Sequence, residues 1–404
     1  MQITGLSPAG DVSSSRAAVE ALGVEILNSH VRVESLKPST KRLGFQVLLN
    51  SPGGARWKAP NDSIDVGNSG TTIRLLLGAL AGSSANAELT GDASIRRRPM
   101  GRVVKPLQEM GAAITGRDGG EHAPLHVTGG QLVGRAHWLP VASAQVKSAL
   151  LLAGLFAEGE TSVEEPAPSR DHTERLLRYL GVRIVSSGNR HSVKSTNIQN
   201  ASLTIPGDIS SAAFLLVAAA LLPGSDLVID KVGVNGTRTG ILKILRLFGA
   251  DVEVTDVQEE SGEPVGTIRI RAGDRRPLEV TGDLVVTSLD ELPLIAVLGA
   301  AAEGTTTVGD AAELRVKESD RIAAILTGLQ RMGAAIQGTP DGFVVKGPTP
   351  LRGAVVDAAG DHRIAMALAV AALTAEGETT INGWDSVGIS YPGFEQDLEQ
   401  LVVR

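Results

Sequence analysis

A short motif recurs five times in this 404-residue chain: an apolar residue, Gly, Ala or Val, any residue, and then Ile or Val. The five glycines lie 68 to 88 residues apart, and they are Gly23, Gly111, Gly181, Gly249 and Gly333. Each follows an amphipathic segment, where a helix would end, and precedes residues that favour a strand. A period of this kind restricts the chain to a fold of similar units packed side by side.

The segments around the motif repeat as well. An Ala/Leu-rich run, a Gly turn, a short β-rich stretch and a second amphipathic segment come before the glycine in residues 143–181 and again in residues 291–333. In the first of these, Leu176, Leu177 and Leu180 form one apolar face of a helix. Each unit is therefore predicted to run strand, helix, strand, helix, strand, strand, which makes the fold class α/β (α+β).

The first unit differs from the others. It opens directly at its second helix, predicted from Val12 to Leu22, without the Ala/Leu-rich helix that the other units carry. Either this is a natural cap of a repeat fold, or about thirty to forty residues are missing ahead of it; we expect the second.

Composition excludes several classes of protein. The chain has 38 Lys and Arg against 45 Asp and Glu, a formal charge of −7, which argues against binding a nucleic-acid backbone. There is no cysteine, so disulfides, thiolate metal sites and Cys nucleophiles are excluded. His122 and His126 flank Pro124 and do not suit a helical metal site, so we expect no metal. The longest apolar run, residues 212–222, is too short to span a bilayer, and we expect a cytoplasmic protein without membrane contact.

Polar residues stand at several predicted helix starts. Asn68 and Ser69 precede one helix, Ser143 precedes a strongly apolar one, and Ser169 stands at the start of a third with Glu174 in its first turn. Such residues cap helices, and the N–H groups of a helix N-terminus also bind anions. Both interpretations stay open for these positions.

Cations cluster in loops of this acidic chain. Arg98 precedes Pro99 within a basic stretch that also holds Arg96, Arg97, Arg102 and Lys105, either a solvated face or a site for phosphate or carboxylate. Lys317 and Arg321 are expected to be neighbours on one helix face, where they would repel unless an anion sat between them. The predicted substrates are small and multiply anionic.

Charged residues also precede two apolar helices. Asp361, His362 and Arg363 stand directly ahead of one, whose N-terminus would favour anions. Asp290 and Glu291 stand ahead of another, where a carboxylate acts either as a cap or as a partly desolvated base.

Nine motifs occur in one order along the chain from about Ile3 to Leu401. They are GNSGTT-R, GD-S-R-RPM, SAQVKSALLLAGL, SRDHTE, PGDISSAAF, NGTRTG, RVKESDR, GDHRIAMA and SYPGF. Together they closely resemble the 5-enolpyruvylshikimate-3-phosphate synthase (3-phosphoshikimate 1-carboxyvinyltransferase) family.

The resemblance implies a two-domain inside-out barrel of six βαβαββ units, of the enolpyruvyl transferase type. The first domain would span residues 1–205 and the second 206–404, with helix N-termini of both pointing to the substrates. The implied reaction transfers the enolpyruvyl group of phosphoenolpyruvate to the 5-hydroxyl of shikimate 3-phosphate, in the shikimate pathway to chorismate and aromatic amino acids. It needs no metal and no cofactor, and the implied enzyme is a cytoplasmic monomer whose partners are its two small substrates.

The resemblance also carries site residues over. Asp290, Glu318 and Lys317 look catalytic, with Asp290 as proton acceptor at the 5-hydroxyl and Glu318 as proton shuttle at the methylene carbon. The implied shikimate 3-phosphate contacts are Ser143, Gln145, Ser169, Asp290 and Lys317. The implied phosphoenolpyruvate contacts are Gly70, Arg98, Gln145, Arg321 and Arg363.

Two departures from the family pattern leave alternatives open. Some members have a Lys in the last motif, where this chain has Val387, Gly388 and Ile389. The family's opening PGDKSxSxR segment, which binds both substrates, has no match here, in line with the atypical first unit. The alternatives are an N-terminally truncated, non-catalytic remnant of this enzyme and, with less support, a UDP-N-acetylglucosamine enolpyruvyl transferase; the latter commonly uses a loop Cys, which is absent here.

Overall fold

The computed structural model describes residues 1–29 and 45–401. The chain divides into two compact units, Met1–Ile205 with Glu260–Glu263, and Pro206–Glu259 with Pro264–Arg404. Each unit encloses a hydrophobic core of its own.

Helices and strands are interspersed along the chain. The helices are α1 (Gly10–Ala21), α2 (Gly70–Ala81), α3 (Gly101–Glu109), α4 (Ala144–Gly154), α5 (His172–Tyr179), α6 (Ile209–Leu221), α7 (Gly240–Phe248), α8 (Asp283–Thr287), α9 (Leu292–Ala301), α10 (Arg321–Arg331), α11 (His362–Ala372) and α12 (Phe394–Leu401). The strands of the first unit are β1 (Gln2–Leu6), β2 (Glu25–Ser29), β3 (Phe45–Asn50), β4 (Ile64–Asp65), β5 (Asn86–Thr90), β6 (Ala113–Arg117), β7 (His122–Thr128), β8 (Ala136–Trp138), β9 (Glu160–Glu164), β10 (Val185–Ser187), β11 (Arg190–Lys194) and β12 (Ser202–Thr204). The strands that follow are β13 (Asp226–Gly233), β14 (Asp251–Glu260), β15 (Glu263–Arg271), β16 (Glu279–Val280), β17 (Gly304–Val308), β18 (Ala335–Thr339), β19 (Gly342–Gly347), β20 (Val355–Asp357) and β21 (Thr380–Asn382).

One sheet topology recurs. The orders β4-β5-β7-β6, β8-β9-β11-β10 and β16-β17-β19-β18 are the same, with the first pair parallel and the other two pairs antiparallel. Residues 64–128, for example, run β4, α2, β5, α3, β6, β7. The predicted order of strand, helix, strand, helix, strand, strand is confirmed in these units. Among the described residues the sheets are open, and hydrogen bonding closes none of them into a barrel.

The start of the chain differs from one prediction. The expectation that the chain opens directly at a helix was wrong, because β1 precedes α1. β1 lies between β12, to which it is parallel, and β3, to which it is antiparallel, so the sheet has the order β12-β1-β3-β2. Its sequence gave little sign of a strand because all five residues are only half-buried and Gly5 has a φ of +81°. Pairing on both edges forms this strand, rather than apolar alternation within it.

The five motif glycines stand where the sequence predicted. Each lies directly after a helix, and each has a positive φ, from +83° at Gly181 to +110° at Gly249. A residue with a Cβ is strained in this left-handed conformation, which ends the helix and redirects the chain. The helix ends that position the strands are therefore encoded locally.

Apolar helices form the two cores. In the first unit α2 packs against α4, and in the second α6, α9 and α11 are buried along nearly their whole length. Gly78 of α2 permits the close approach to α4, since a Cβ there would lie 2.1 Å from the carbonyl oxygen of Ala149. Within the described ranges, no helix combines the length and hydropathy that crossing a membrane requires.

Gly78→Ala should destabilise the first unit. The added methyl has no space between α2 and α4, and overpacking of this kind costs about 1–3 kcal/mol, which exceeds the gain of about 1 kcal/mol from better helix propensity. We expect a lower unfolding temperature in scanning calorimetry. Gly130→Ala is the control, because a Cβ at Gly130 meets nothing within 4 Å; equal unfolding temperatures for the two variants would contradict the packing argument.

Candidate active site

A cluster of charged side chains in the second unit surrounds one guanidinium. Arg321, with a side chain only 1% exposed, places Nε 2.8 Å from Asp361 Oδ2, Nη1 3.1 Å from Asp290 Oδ1 and Nη2 2.6 Å from Glu318 Oε2. Lys317 Nζ lies 3.6 Å from Asp290 Oδ1. Asp290, Lys317, Glu318 and Arg321, which the sequence selected, are thus brought together in one network.

The elements explain why the cluster forms. Asp290 lies just ahead of α9, whose first residue is Leu292, while Asp320 caps α10 by accepting a hydrogen bond from the Ala323 N–H. The prediction that Lys317 and Arg321 share a helix face was wrong, because α10 begins only at Arg321 and Lys317 precedes it in extended backbone. An anion does lie between the two cations, but it is the carboxylate of Asp290.

The electrostatics of Arg321 follow from its partners. Burial by itself would lower the pKa of Arg321, but the charges of Asp361, Glu318 and Asp290 outweigh it, so the pKa is raised. Burial would likewise raise the pKa of Asp361, and the Arg321 charge overcomes this and lowers it. Arg321 and Asp361 therefore stay ionised over the physiological pH range.

The N-terminus of α11 adds a third cation. Asp361 caps the helix by accepting a hydrogen bond from the Arg363 N–H at 2.9 Å. Arg363 Nη2 lies 3.9 Å from Asp290 Oδ2, so three cations face the Asp290 carboxylate. Burial would raise the pKa of Asp208, but the charges of Arg238 and then of Arg363 outweigh it, so this pKa is lowered.

His362 is buried beside this cluster. Burial and the Arg363 charge lower the pKa of His362 to about 4, so the ring is neutral at neutral pH. In the described part of the chain its Nδ1 is buried without a hydrogen-bond partner.

We expect His362 to make stability depend on pH. Its pKa is near 6.5 when unfolded and about 4 when folded, so its contribution is complete above pH 6.5 and is lost as the pH falls toward 4. The free energy of unfolding in urea should fall between pH 7.5 and pH 4.5, and this fall should be about 2–3 kcal/mol smaller in His362→Gln than in the unaltered chain. The exposed His126 supplies the control substitution, His126→Gln. An unchanged pH dependence in His362→Gln would refute this assignment.

The N-terminus of α2 forms a second group, in the first unit. Ser69 caps the helix, as predicted, by accepting a hydrogen bond from the Thr72 N–H. Gly70 is the first helical residue, and a Cβ there would lie 2.5 Å from Arg98 Nη1. Gly70 thus leaves room for the guanidinium of Arg98, which is buried, whereas Arg96, Arg97, Arg102 and Lys105 are exposed.

Gln145 is tied to the same group. Its Oε1 accepts a hydrogen bond from Arg74 Nη1 at 2.9 Å, and its Nε2 donates to Thr71 Oγ1 at 2.8 Å. Arg74 also donates to the carbonyl oxygens of Gly70 and Pro99. Gly70 and Gln145, predicted from two motifs, therefore both contact the Arg74 guanidinium, and Arg98, predicted from a third, lies against Gly70.

Ser143 and Ser169 form a third group, again in the first unit. Ser143 is the N-cap of α4, as predicted, with its hydroxyl accepting from the Val146 N–H. Ser169 does not start α5, which begins at His172 after Asp171, so that part of the prediction was wrong. Its hydroxyl donates instead to Glu165 Oε2 at 2.8 Å. This hydrogen bond to a carboxylate four residues earlier in the same loop takes the place of the predicted helix cap.

Several polar residues of these groups were not predicted from the sequence. Arg74 and Lys147 each interrupt an apolar helix, α2 and α4, and a lone charge in such a run was the available signal. Glu165 lies in a polar loop and gave no local signal. Its contacts with Ser143 and Lys147 come from a chain segment that only the fold brings near, while Ser169 lies four residues further along the same loop.

Comparison with known proteins identifies the family of this chain. The family model for EPSP synthase (3-phosphoshikimate 1-carboxyvinyltransferase) matches residues 1–398. A 3-phosphoshikimate 1-carboxyvinyltransferase from a Synechococcus strain is 50% identical over 99% of this chain and 88% of its own length. One from Desulforamulus reducens is 49% identical, over 99% of this chain and 97% of its own.

A solved EPSP synthase from Acinetobacter baumannii shares the fold. It superposes with a TM-score of 0.83 at 39% identity, over 99% of this chain and 89% of its own. The repeated topology is thus that of the enolpyruvyl transferases. The chain belongs to the EPSP synthase (3-phosphoshikimate 1-carboxyvinyltransferase) family.

Proposed function

We propose specific roles for these residues in the reaction of the family, the transfer of the enolpyruvyl group of phosphoenolpyruvate to the 5-hydroxyl of shikimate 3-phosphate with release of phosphate. The chain is an enzyme of this activity, since the family model and relatives near 50% identity cover almost all of it. The relatives reported above favour this substrate over UDP-N-acetylglucosamine.

Asp290 is the proposed acceptor of the 5-hydroxyl proton. The supporting observation is its environment: a largely buried carboxylate faced by Lys317, Arg321 and Arg363. Anionic substrates would compete for the same cations and so raise the basicity of Asp290 as they bind.

Glu318 is the proposed proton shuttle at the methylene carbon. Attack of the 5-oxygen on C2 of phosphoenolpyruvate requires a proton at C3, and loss of phosphate from the resulting tetrahedral ketal phosphate requires a proton to leave the new methyl group. Glu318 is held by Arg321 at 2.6 Å and has a side chain 15% exposed, so it is both oriented and accessible. Lys317 is the proposed partner of the shikimate 3-phosphate, alongside Asp290.

The first unit supplies the remaining proposed contacts. Ser143, Gln145 and Ser169 bind shikimate 3-phosphate, and Gly70, Arg98 and Gln145 bind phosphoenolpyruvate together with Arg321 and Arg363. What supports this is the N-terminus of α2 next to a buried guanidinium, because amide N–H groups and a fork-shaped cation both suit phosphate and carboxylate.

The environment of Asp290 carries this proposal, and turnover tests it. The full chain, incubated with phosphoenolpyruvate and shikimate 3-phosphate, should release inorganic phosphate and form the enolpyruvyl ether, detected by phosphorus NMR. Phosphate release without shikimate 3-phosphate, or none with both substrates, would contradict the proposed reaction.

Arg363→Lys should weaken phosphoenolpyruvate binding although the charge is kept. A single ammonium cannot replace the two parallel hydrogen bonds that a guanidinium makes to a phosphate or carboxylate. We expect KM for phosphoenolpyruvate to rise about tenfold, equivalent to about 1.4 kcal/mol, with a smaller change in KM for shikimate 3-phosphate. Arg352→Lys, at an exposed position, is the matched control. Unchanged phosphoenolpyruvate binding in titration calorimetry would remove Arg363 from this site.

The proposal extends to assembly and location. A monomer and a cytoplasmic location are part of the proposal because the family resemblance implies both. Sedimentation equilibrium over a range of protein concentrations tests the first statement.

A further inference from the structure

Three ionisable side chains that were given no role above are buried together in the first unit. Lys147 of α4 places Nζ 2.8 Å from Glu165 Oε2 and 2.8 Å from Glu174 Oε1. All three side chains are at most 1% exposed. Burying charges is costly unless they are paired, so a set of this kind needs a reason beyond filling space.

Glu165 links this set to the two serines. Its Oε1 accepts a hydrogen bond from the Ser143 N–H, and its Oε2 accepts one from the Ser169 hydroxyl, both at 2.8 Å. One carboxylate therefore fixes the N-cap residue of α4 and the loop ahead of α5 relative to each other. Glu174, which lies on α5, completes the pairing of Lys147 but has no contact with either serine among those described.

We propose that Glu165, held in place by Lys147, is a positioning residue for shikimate 3-phosphate, which sets the spacing of Ser143 and Ser169. This inference rests on the proposed function, which assigns both serines to that substrate. Glu165 accepts a hydrogen bond from the Ser169 hydroxyl. A bound phosphate would accept that hydrogen bond instead, while Glu165 keeps its contacts to Ser143 and Lys147.

Electrostatics and positioning predict opposite effects of removing this carboxylate. Two carboxylates face one ammonium, and burial lowers the pKa of the neighbouring His191, which keeps its ring neutral. With two acidic side chains and only one basic one, the set does not attract a phosphate. If charge alone mattered, Glu165→Gln would strengthen shikimate 3-phosphate binding; if Glu165 positions the serines, the same change weakens it.

Phosphoenolpyruvate binding serves as an internal control for the effect of changing Glu165. Gln145, on the first turn of α4, is anchored independently by Arg74 and Thr71. Disturbing Glu165 should therefore affect shikimate 3-phosphate far more than phosphoenolpyruvate.

The test measures Kd for shikimate 3-phosphate by titration calorimetry on the full chain, with KM for each substrate. In Glu165→Gln we expect Kd to rise at least about tenfold, because small misplacements of binding groups have effects of this size. KM for phosphoenolpyruvate should stay within about threefold. Glu165→Asp keeps the charge but is too short to reach both serines, and it should weaken binding similarly; it also replaces Glu165→Gln if that variant does not fold.

Two controls separate positioning from stability. Glu174→Gln makes the same change in the same buried set and should lower the unfolding temperature without altering Kd. Glu164→Gln, at the exposed neighbouring residue, should change neither. Tighter or unchanged binding in Glu165→Gln, or equal weakening in Glu174→Gln, overturns the inference. If the unaltered chain binds no shikimate 3-phosphate, the proposed function fails and the inference with it; turnover by the unaltered chain with an unchanged Kd in Glu165→Gln overturns the inference alone.

Discussion

Asp290→Asn should lower kcat about a thousandfold while KM for phosphoenolpyruvate stays the same or falls. The amide cannot accept the 5-hydroxyl proton, and general base catalysis contributes effects of this order. The substitution also removes the protein anion that Lys317, Arg321 and Arg363 share, which leaves these cations available to an anionic substrate. Loss of kcat without loss of binding is the signature of an interaction that acts only in the transition state.

Steady-state kinetics with both substrates checks this expectation. Asp283→Asn is the matched control, since Asp283 is exposed in the first turn of α8 of the same unit. A kcat within threefold of the unaltered chain would exclude Asp290 as the base, whatever its effect on binding. A large fall in unfolding temperature would instead assign Asp290 a structural role in the cluster.

Local signals in the sequence predicted much of the fold. The glycines after α1, α3, α5, α7 and α10 were identified because a positive φ selects glycine directly, without help from distant residues. The caps at Ser69 and Ser143 were predicted for the same reason, since a cap bonds to an N–H three residues away. β1 was missed because its pairing with β12 and β3 is a long-range property.

The sequence predicted most residues of the candidate site but not which of them pair with each other. Lys317 and Arg321 were expected to need an external anion, yet Asp290 supplies one from a segment some thirty residues earlier in the chain. Ser169 was expected to cap a helix, yet its hydroxyl donates a hydrogen bond to Glu165, four residues earlier. Ionic partners that are distant in sequence, such as Asp290, leave no periodic signal, so only the fold identifies them.

Arg321→Lys should destabilise the second unit by about 3–5 kcal/mol, the range for breaking a buried ion pair. The guanidinium uses Nε, Nη1 and Nη2 on three different carboxylates, Asp361, Asp290 and Glu318. An ammonium keeps the charge but has a single nitrogen at the end of an unbranched stem. At least one buried carboxylate therefore loses its partner. The lost orientation of Asp290 and Glu318 should abolish measurable turnover as well.

Urea unfolding and phosphate release test the predicted losses of stability and turnover in Arg321→Lys. Arg315→Lys is the matched control, because Arg315 also pairs with a carboxylate, Asp320 at 2.8 Å, but is 34% exposed and should lose less than about 1 kcal/mol. Equal losses of stability in the two variants would show that burial of Arg321 adds nothing to the strength of its pairs. Stability lost with turnover kept would show that Asp290 and Glu318 do not depend on Arg321 for their orientation. Because one side chain links both proposed catalytic carboxylates to the cap of α11, we expect stability and catalysis to be lost together.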